Sequence, residues 1–242
     1  KGFQYQVYDA RQIGPQELEL TYLAKDGEEG FPGNITCRVL MTLTDDNAID
    51  IRYEAETDKP TIVNMTNHSY FNLDGEDSGS VEGQHLQIFA DSFAENDAGC
   101  LPTGRIVSLD SEEGAPFDFR EPTEIGKRLH EENIHLKNGS GYDHNYLLKK
   151  QPDGLCARAY SRSSGILLEC RTSEPGMQLY TGNFLSTSNI VGKGGKSYAD
   201  RAGFCLETQH YPNAMEHPEF PSVVLPAGEL YDTTTEYHIS LL

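Results

Sequence analysis

The sequence predicts an all-β fold, a large antiparallel β-sandwich, from three observations. Short segments alternate between apolar and polar residues, turn-forming clusters separate them, and helical periodicity is almost missing. In residues 49–56 (IDIRYEAE), every second side chain is apolar, as in a strand with one buried face. Many short strands joined by turns, with almost no helix, are typical of antiparallel sandwiches.

The strand segments follow one another along the chain. Residues 39–43 (VLMTL) are predicted to pair with residues 49–56 through the turn Asp-Asp-Asn. Further strands are predicted, in chain order, at 61–67, 85–90, 157–160, 166–172, 203–207 and 237–241. Clusters of Gly, Pro, Asn and Asp that mark turns lie at 74–83, 139–141 and 193–195.

One helix and one domain complete the prediction. The best helical segment is 121–130 (EPTEIGKRLH), where Pro122 suits a first turn and Gly126 lowers the helix propensity. Large all-β domains reach this size as single units. Because no linker, repeat or low-complexity segment divides the chain, we expect residues 1–242 to form a single domain.

Composition and charge limit the partners. Of the 242 residues, 37% are hydrophobic and 24% charged, which is typical of a soluble globular protein. The net charge is −19, from 38 acidic and 19 basic residues. Such a surface repels nucleic acid and anionic membranes, and it disfavours heavily phosphorylated substrates. We therefore expect no nucleic acid and no membrane as partners, and neutral small molecules as ligands.

The five cysteines indicate a reducing compartment. They are an odd number, lie far apart and include no CxxC pair, so they favour free thiols over a disulfide framework. The expected location is the cytoplasm. A periplasmic or secreted location stays open, because an export signal would precede Lys1.

The eight histidines do not form a recognisable zinc motif. His130 and His135 are five residues apart, and His210 and His217 are seven apart, unlike HExxH or finger spacings. GxSxG, P-loop and GxGxxG motifs are also absent from the sequence. We therefore predict no metal site.

Polar residues set among apolar ones carry more information. His68 lies within NMTNHSYFNL, Asp143 follows a Gly-rich turn, Gln178 lies in PGMQLYTG, and Glu207 follows the apolar run GFCL. Each one alone is more typical of a satisfied structural group. Together they supply an imidazole, two carboxylates and an amide beside aromatic side chains, which are the groups that bind sugars.

Seven blocks closely resemble the aldose 1-epimerase (galactose mutarotase) family. They run in order through the whole chain, and the first, fifth and sixth are long and specific: NMTNHSYFNL (64–73), LPTG (101–104), PFDFREPTEIG (116–126), GYDHNYLL (141–148), SGILLECRTSEPGMQLYTGNFL (164–185), ETQHYPNAMEHPEFPSVVLPAGELYD (207–232) and TTTEYHI (233–239). The family fold is a large antiparallel β-sandwich, the galactose mutarotase-like supersandwich.

The resemblance implies an isomerase that interconverts the α and β anomers of free hexoses such as galactose or glucose. By resemblance, Glu207 is the general base and His68 the general acid, and Tyr70, Asp143 and Gln178 bind the substrate hydroxyls. A carboxylate and an imidazole, with reference pKa values of about 4.3 and 6.5, can hold opposite protonation states near neutral pH. No cofactor is required. Some bacterial relatives bind calcium, but no EF-hand-like loop is present.

The chain departs from the family pattern at two kinds of position. Asn213 and Glu216 replace the more usual Asp and Asn. The start, KGFQYQVYDA, resembles the stretch just after the family's Leu-His-Gly-Gly segment. We therefore expect that the N-terminal strands, a substrate-binding histidine and an upstream arginine are missing. Removal or omission, a separate chain, or a short protein that forms a homo-oligomer through the exposed sheet edge would each explain this.

Two alternative functions remain. One is a catalytically impaired carbohydrate-binding sandwich that keeps His68 and Glu207 without turnover. The other is a hexose-6-phosphate 1-epimerase, against which the acidic composition counts. The leading hypothesis predicts that His68, Asp143, Gln178 and Glu207 line one cleft.

Overall fold

The structure is a computed structural model that describes residues 2–149 and 151–242. Every strand pair in it is antiparallel. The strands of the described residues are β1 (Asp9–Gln12), β2 (Glu17–Ala24), β3 (Ile35–Leu43), β4 (Ala48–Thr57), β5 (Thr61–Ile62), β6 (His85–Ile88), β7 (Ala90–Asn96), β8 (Pro102–Ser108), β9 (Thr123–Glu124), β10 (Asp143–Leu148), β11 (Leu155–Tyr160), β12 (Ile166–Thr172), β13 (Gly176–Tyr180), β14 (Cys205–Gln209), β15 (Val224–Leu225) and β16 (Leu230–Leu241).

Two large sheets form the body of the fold. One has nine strands in the order β1-β2-β3-β4-β16-β12-β11-β6-β9, and the other has five in the order β14-β13-β10-β7-β8. β5 and β15 form a separate two-stranded ribbon. The predicted all-β, antiparallel fold class is confirmed. In the described chain, sixteen strands pair their backbone N–H and C=O groups with those of neighbouring strands, so these groups are satisfied without long helices.

A common hydrophobic core joins the two large sheets. The alternation read from residues 49–56 holds in β4, where Ile51, Tyr53 and Ala55 are buried. The main core draws buried side chains from both sheets, among them Leu168 of β12 and Phe93 of β7. This burial of inward-facing residues from two facing sheets is the main stabilising contribution to the sandwich.

The helices are few and short. The α-helix of the described chain, α1, spans Ile134–Gly139, and the side chain of Asn133 caps its first backbone N–H groups. Short 3-10 helices lie at Phe3–Tyr5, Glu28–Gly30, Val81–Gly83, Ala115–Phe117, Ile125–Lys127, Leu185–Ser188 and Ala214–Glu216. The helix predicted at 121–130 is therefore wrong. β9 occupies its start and a single 3-10 turn its middle. A Cβ atom at position 126 would lie within 3 Å of the side chain of Glu82, so this turn needs the glycine.

The strand predicted at 61–67 ends early. Regular pairing stops at Ile62, and the next backbone pairing is the isolated bridge between Phe71 and Phe204. The asparagine side chains of this segment take over hydrogen bonds that a strand would make with its backbone, as described below. The strand predicted at 166–172 coincides with β12. The other predicted strands are present with shifted ends, and β16 begins at Leu230 rather than Tyr237.

None of the helices in the described chain is long and apolar enough to span a bilayer.

Candidate active site

Three neighbouring strands present polar side chains on the outward face of the five-stranded sheet. Gln178 of β13 lies directly opposite Glu207 of β14 and opposite Asn145 of β10. Tyr180 pairs with Asp143 on one side and with Cys205 on the other. The alternate residues of β14, Leu206 and Thr208, face the core, so Glu207 points away from it.

The segment after β5 closes the free edge of β14. Asn64 donates from Nδ2 to the carbonyl of His210 at 2.9 Å and accepts from the His210 N–H at 3.0 Å. At the other end, Phe71 and Phe204 exchange two backbone hydrogen bonds, at 2.8 and 2.9 Å. Between these clamps the chain leaves the edge and carries His68 over the outward face of β14.

Asn67 fixes the middle of this segment from beneath. Its Nδ2 lies 3.2 Å from the hydroxyl of Tyr53, and its Oδ1 accepts from Tyr237 at 3.3 Å. Oδ1 also accepts from the backbone N–H of Ser69 at 3.3 Å. The amides of this segment therefore orient the loop that bears His68, which explains why a histidine lies among so many of them.

His68 and Glu207 are in direct contact. Nε2 of His68 lies 3.3 Å from Oε1 of Glu207. The imidazole ring lies 4.9 Å from the ring of Tyr70 and 5.6 Å from that of Tyr180, measured between centroids. The side chain of His68 is half exposed, whereas that of Glu207 is 11% exposed. An imidazole open to solvent thus faces a buried carboxyl group.

Asp143 and Gln178 form the other half of the polar cluster. Nε2 of Gln178 donates to Oδ1 of Asp143 at 2.7 Å. Their strands bring this pair beside Glu207, because Gln178 is the cross-strand partner of Glu207. The amide is fixed by this bond, so its oxygen is left to meet a ligand.

Burial sets the ionisation of both carboxyl groups. It raises the pKa of Glu207 from 4.5 to about 8, and the nearby Asp143 carboxylate adds to the rise. Burial also raises the pKa of Asp143, while the bond from Gln178 and the charge of His68 oppose this rise. Burial therefore raises the pKa of both carboxyl groups in this cleft, as is typical of acid/base sites.

These groups line a cleft of about 280 Å³, which is large enough for a small polar ligand. Its wall includes all five side chains predicted as site residues and four that the sequence reading missed: His68, Tyr70, Asp143, Gln178, Glu207, and in addition Tyr180, Phe184, Gln209 and Pro212. Tyr180 and Gln209 could have been predicted, because they lie two residues beyond Gln178 and Glu207 and residues two apart in a strand share one face. Phe184 and Pro212 lie on loops and give no such signal.

A larger groove of about 540 Å³ lies elsewhere, between the starts of β3 and β5 and the N-terminal 3-10 helix. Phe3, Phe31, Ile35 and Val63 are among the apolar residues that line it. Its wall is mainly apolar and does not combine an imidazole with carboxyl groups. The smaller cleft is therefore the better candidate for chemistry.

The residues at hand do not form a good cation site. Ligand atoms of His68, Cys205 and Glu207 lie within 4.8 Å of one another. Calcium prefers six to eight oxygen ligands, so an imidazole and a thiol do not suit it. Zinc would need a thiolate, but burial raises the pKa of the Cys205 thiol far above its ordinary value.

Comparison with known proteins gives one family. The family model described as aldose 1-epimerase matches residues 1–238. Galactose mutarotase of Bos taurus is 41% identical over 242 residues, which cover all of this chain and 68% of that protein. Aldose 1-epimerase of Escherichia coli K12 is 38% identical over 241 residues, covering 98% of this chain and 68% of that protein.

Solved structures agree with these sequence matches. The aldose epimerase homologue from C. elegans superposes with a TM-score of 0.86 at 29% identity, covering 98% of this chain and 70% of that one. Galactose 1-epimerase from Lactobacillus acidophilus gives a TM-score of 0.82 at 26% identity, covering 98% and 67%. The chain thus spans about two thirds of the length of the proteins that it matches.

Proposed function

The chain belongs to the aldose 1-epimerase family, a family of isomerases, and from this premise we propose that it interconverts the α and β anomers of a free hexose such as galactose or glucose. The observation that carries the proposal is the contact of 3.3 Å between His68 and Glu207 inside a cleft lined by sugar-binding side chains. The reaction needs no cofactor, since opening and reclosing the C1–ring oxygen bond requires proton transfers but no net oxidation or reduction.

Each residue has a defined task in this proposal. The Glu207 carboxylate accepts the proton of the C1 hydroxyl while His68 donates a proton to the ring oxygen. The C1–ring oxygen bond breaks and the C1 carbonyl forms, which gives the open-chain aldehyde. Rotation about the C1–C2 bond turns the other face of the aldehyde toward the C5 hydroxyl. Reclosure then returns both protons, with the roles of the two groups reversed.

The geometry supports this pairing of roles. The hydroxyl oxygen and the ring oxygen are both bonded to C1, so their acid and base must lie close together. His68 and Glu207 satisfy this condition at 3.3 Å. The raised pKa of Glu207, about 8, makes its carboxylate a stronger base than an exposed one.

The remaining cleft residues support substrate binding. We assign Asp143, Gln178 and Tyr70 to the sugar hydroxyls, with Gln178 held in place by its 2.7 Å bond to Asp143. Tyr70 and Tyr180, whose rings lie 6.2 Å apart, offer aromatic faces to the C–H surface of the ring.

The cleft disfavours a phosphorylated sugar. Its wall carries two carboxyl groups, and none of the described residues that line it is Lys or Arg. A phosphate group needs such cations or a cluster of backbone N–H groups. The free hexose is therefore preferred to a hexose 6-phosphate as the substrate.

Polarimetry of freshly dissolved α-D-galactose and α-D-glucose tests the proposal. We expect the unmutated protein to accelerate the approach to equilibrium rotation over buffer, and Glu207→Gln to lower kcat by about 10²–10⁴-fold. The matched control is Glu229→Gln, which changes an exposed glutamate outside the cleft and should leave kcat unchanged.

Three results would each overturn a part of the proposal. No acceleration by the unmutated protein, together with saturable sugar binding by calorimetry, would favour the carbohydrate-binding alternative. Equal acceleration by Glu207→Gln and the unmutated protein would remove Glu207 from the base role. Faster turnover of α-D-glucose 6-phosphate than of α-D-glucose would favour the phosphate-specific alternative.

We further propose a reducing compartment such as the cytoplasm, and self-association through the outer edge of β1. All five cysteines are free, four of them buried, which agrees with a reducing compartment. All four residues of β1 are exposed, and β1 ends the nine-stranded sheet. An edge of this kind offers unpaired backbone groups to a second strand.

A further inference from the structure

The backbone of Asp143 lies beyond the part of β10 that pairs with β7. The carbonyl of Tyr142 accepts from the N–H of Thr181 on the β13 side, so the N–H and C=O of Asp143 point toward β7. In the described residues, however, the pairing of these two strands ends at Tyr146 and Phe93. The backbone groups of Asp143 therefore need partners other than a neighbouring strand.

Two buried side chains supply these partners. Nδ2 of Asn96 donates to the carbonyl of Asp143 at 2.8 Å, and the N–H of Asp143 donates to Nδ1 of His144 at 3.1 Å. His144 is fully buried, and Asn96 is nearly so. The core thus holds, from below, the backbone of a residue whose carboxyl group lines the cleft.

The direction of the bond to His144 is fixed by its donor. A backbone N–H can only donate, so Nδ1 of His144 must be without a proton. Burial, with a smaller effect of His135, lowers the pKa of His144 to about 3, so the ring is neutral and carries its proton at Nε2. His144 therefore acts as a fixed acceptor and takes no part in acid/base chemistry.

The surroundings of His144 are otherwise apolar. Its ring packs edge to face against Phe93 and Phe117, with centroids 5.3 and 4.7 Å away. In the described chain, Nε2 of His144 has no hydrogen-bond partner. A phenyl ring would fill similar space without leaving a nitrogen unpaired, so the bond at Nδ1 is what distinguishes histidine at this position.

We propose that His144 is a positioning residue, whose Nδ1 holds the backbone of Asp143 so that the Asp143 carboxyl group meets a sugar hydroxyl. The inference rests on the proposed function, because it needs Asp143 to bind the sugar. Successive residues of β10 point to opposite faces of the sheet. The side chain of Asp143 therefore reaches the cleft, where it accepts from Gln178 at 2.7 Å, while His144 reaches the core.

The first test reads the proton of His144. Two-dimensional ¹H–¹⁵N spectra of histidine rings distinguish the two neutral tautomers, and the signal lost in His144→Asn assigns the residue. At neutral pH we expect a protonated Nε2 and a bare Nδ1. This readout needs no turnover of sugar.

The second test compares two variants by polarimetry. His144→Phe keeps a ring but removes the acceptor, so it should raise KM for α-D-galactose by about tenfold and change kcat by less than about twofold. His144→Asn should bring KM back to within about twofold, since its Oδ1 is as many bonds from the backbone as Nδ1. It also buries an unpaired amide N–H, so it should unfold at a lower urea concentration than His144→Phe.

His135→Phe is the matched control. His135 is equally buried and packs against the same two phenyl rings, but its Nε2 faces Glu113 at 3.4 Å rather than Asp143. The same substitution at this position should leave KM and kcat unchanged.

A double-mutant cycle shows whether His144 acts through Asp143. In Asp143→Ala the carboxyl group is absent, so the exact placement of this residue no longer affects the sugar. His144→Phe should then change kcat/KM by less than about twofold, against about tenfold in the unmutated background.

The outcomes separate the inference from the proposed function. A His144 protonated at Nδ1, equal effects of His144→Phe in both backgrounds, or equal rises of KM in His144→Asn and His144→Phe would overturn the inference alone. The same rise in His135→Phe would reduce the effect to core disruption and also overturn it. If the unmutated protein does not turn over sugar, the proposed function fails. The cycle is then measured as the Kd for galactose by calorimetry, where equal changes in both backgrounds, or no binding, would overturn the inference as well.

Discussion

Glu207 combines two properties that oppose each other. Its carboxyl group is buried beside Asp143, which raises its pKa to about 8, and the proposed reaction needs it as a carboxylate. A buried carboxylate costs free energy that an exposed one does not. The cost is tolerated because the proposed base gains strength from the same environment, a common compromise between stability and activity.

This cost predicts a pH-dependent stabilisation by Glu207→Gln. Between pH 4.5 and about 8 the unfolded state loses the Glu207 proton and the folded state keeps it. The folded state then binds more protons, so the contribution of Glu207 to the free energy of unfolding falls as pH rises through this window. Relative to the unmutated protein, Glu207→Gln should gain a few kcal/mol from pH 4.5 to pH 8.

Urea unfolding at pH 4.5, 6 and 8 measures this difference. Glu229→Gln, at an exposed position, should show a difference that stays flat with pH. If Glu207→Gln is destabilised further as pH rises, the carboxyl group is ionised and well paired in the folded state, and the raised pKa is refuted.

At the residue scale, the sequence predicts five of the side chains that line the cleft but not its full wall. His68 and Glu207 could be predicted because the motifs that carry them are specific. Cys205 and Tyr180 escaped notice because a thiol and a tyrosine in apolar strands look like core residues. Their outward direction depends on strand register, which local sequence does not determine.

At the element scale, the segment from Asn64 to Phe71 is the least regular part of the site and the most informative. The sequence predicts a strand here, but backbone pairing is confined to its two ends. The Asn64 amide takes the place of a strand residue by both donating to and accepting from the His210 backbone. Side-chain amides that substitute for backbone groups are invisible to periodicity, which explains the error.

The clamp at Asn64 predicts a kinetic effect of Asn64→Ala. Loss of its two hydrogen bonds should lower the free energy of unfolding by about 1 kcal/mol, because the position is exposed. The freed segment carries His68, so kcat for α-D-galactose should also fall, by about tenfold. Urea unfolding and polarimetry measure the two effects.

Asn34→Ala is the control for this experiment. Asn34 is also exposed and also makes two amide hydrogen bonds, to Asp26 and Asp58, at the far end of the large sheet. Asn34→Ala should lower the free energy of unfolding by a similar amount and leave kcat unchanged. Equal kinetic losses in both variants, or none in Asn64→Ala, would show that the clamp does not position His68.

At the scale of the whole molecule, fold class was predictable and strand order was not. Antiparallel strands follow from alternation and turns, which are local. The position of β16 between β4 and β12 depends on pairings such as Thr234 with Arg52, about 180 residues apart. Such pairings are chosen by the packing of both sheets on one core. That residues 1–242 form one domain stays a prediction.

Whole-molecule charge and the free edge of β1 together predict how copies associate. In an antiparallel pairing centred on Ala10, Asp9 of one copy lies opposite Arg11 of the other, a favourable cross-strand pair. Each copy also carries a net charge of −19, so two copies repel each other when they are closer than about a Debye length. Since this length falls from about 30 Å at 0.01 M salt to about 10 Å at 0.1 M, we expect association to strengthen with salt.

Sedimentation equilibrium at increasing protein and salt concentrations tests this edge. A four-residue strand buries little surface, so we expect a dimer with a Kd no tighter than about 0.1 mM at 0.15 M salt, and a weaker one at 0.01 M. Ala10→Lys places like charges opposite each other at the centre of the pairing and should abolish the dimer. Ala98→Lys adds the same charge at an exposed loop site and should leave it intact. A dimer that survives Ala10→Lys would place self-association on another surface, because two lysines opposite each other would block pairing through β1. A dimer that weakens as salt rises would do the same, because salt screens the repulsion between the two acidic copies.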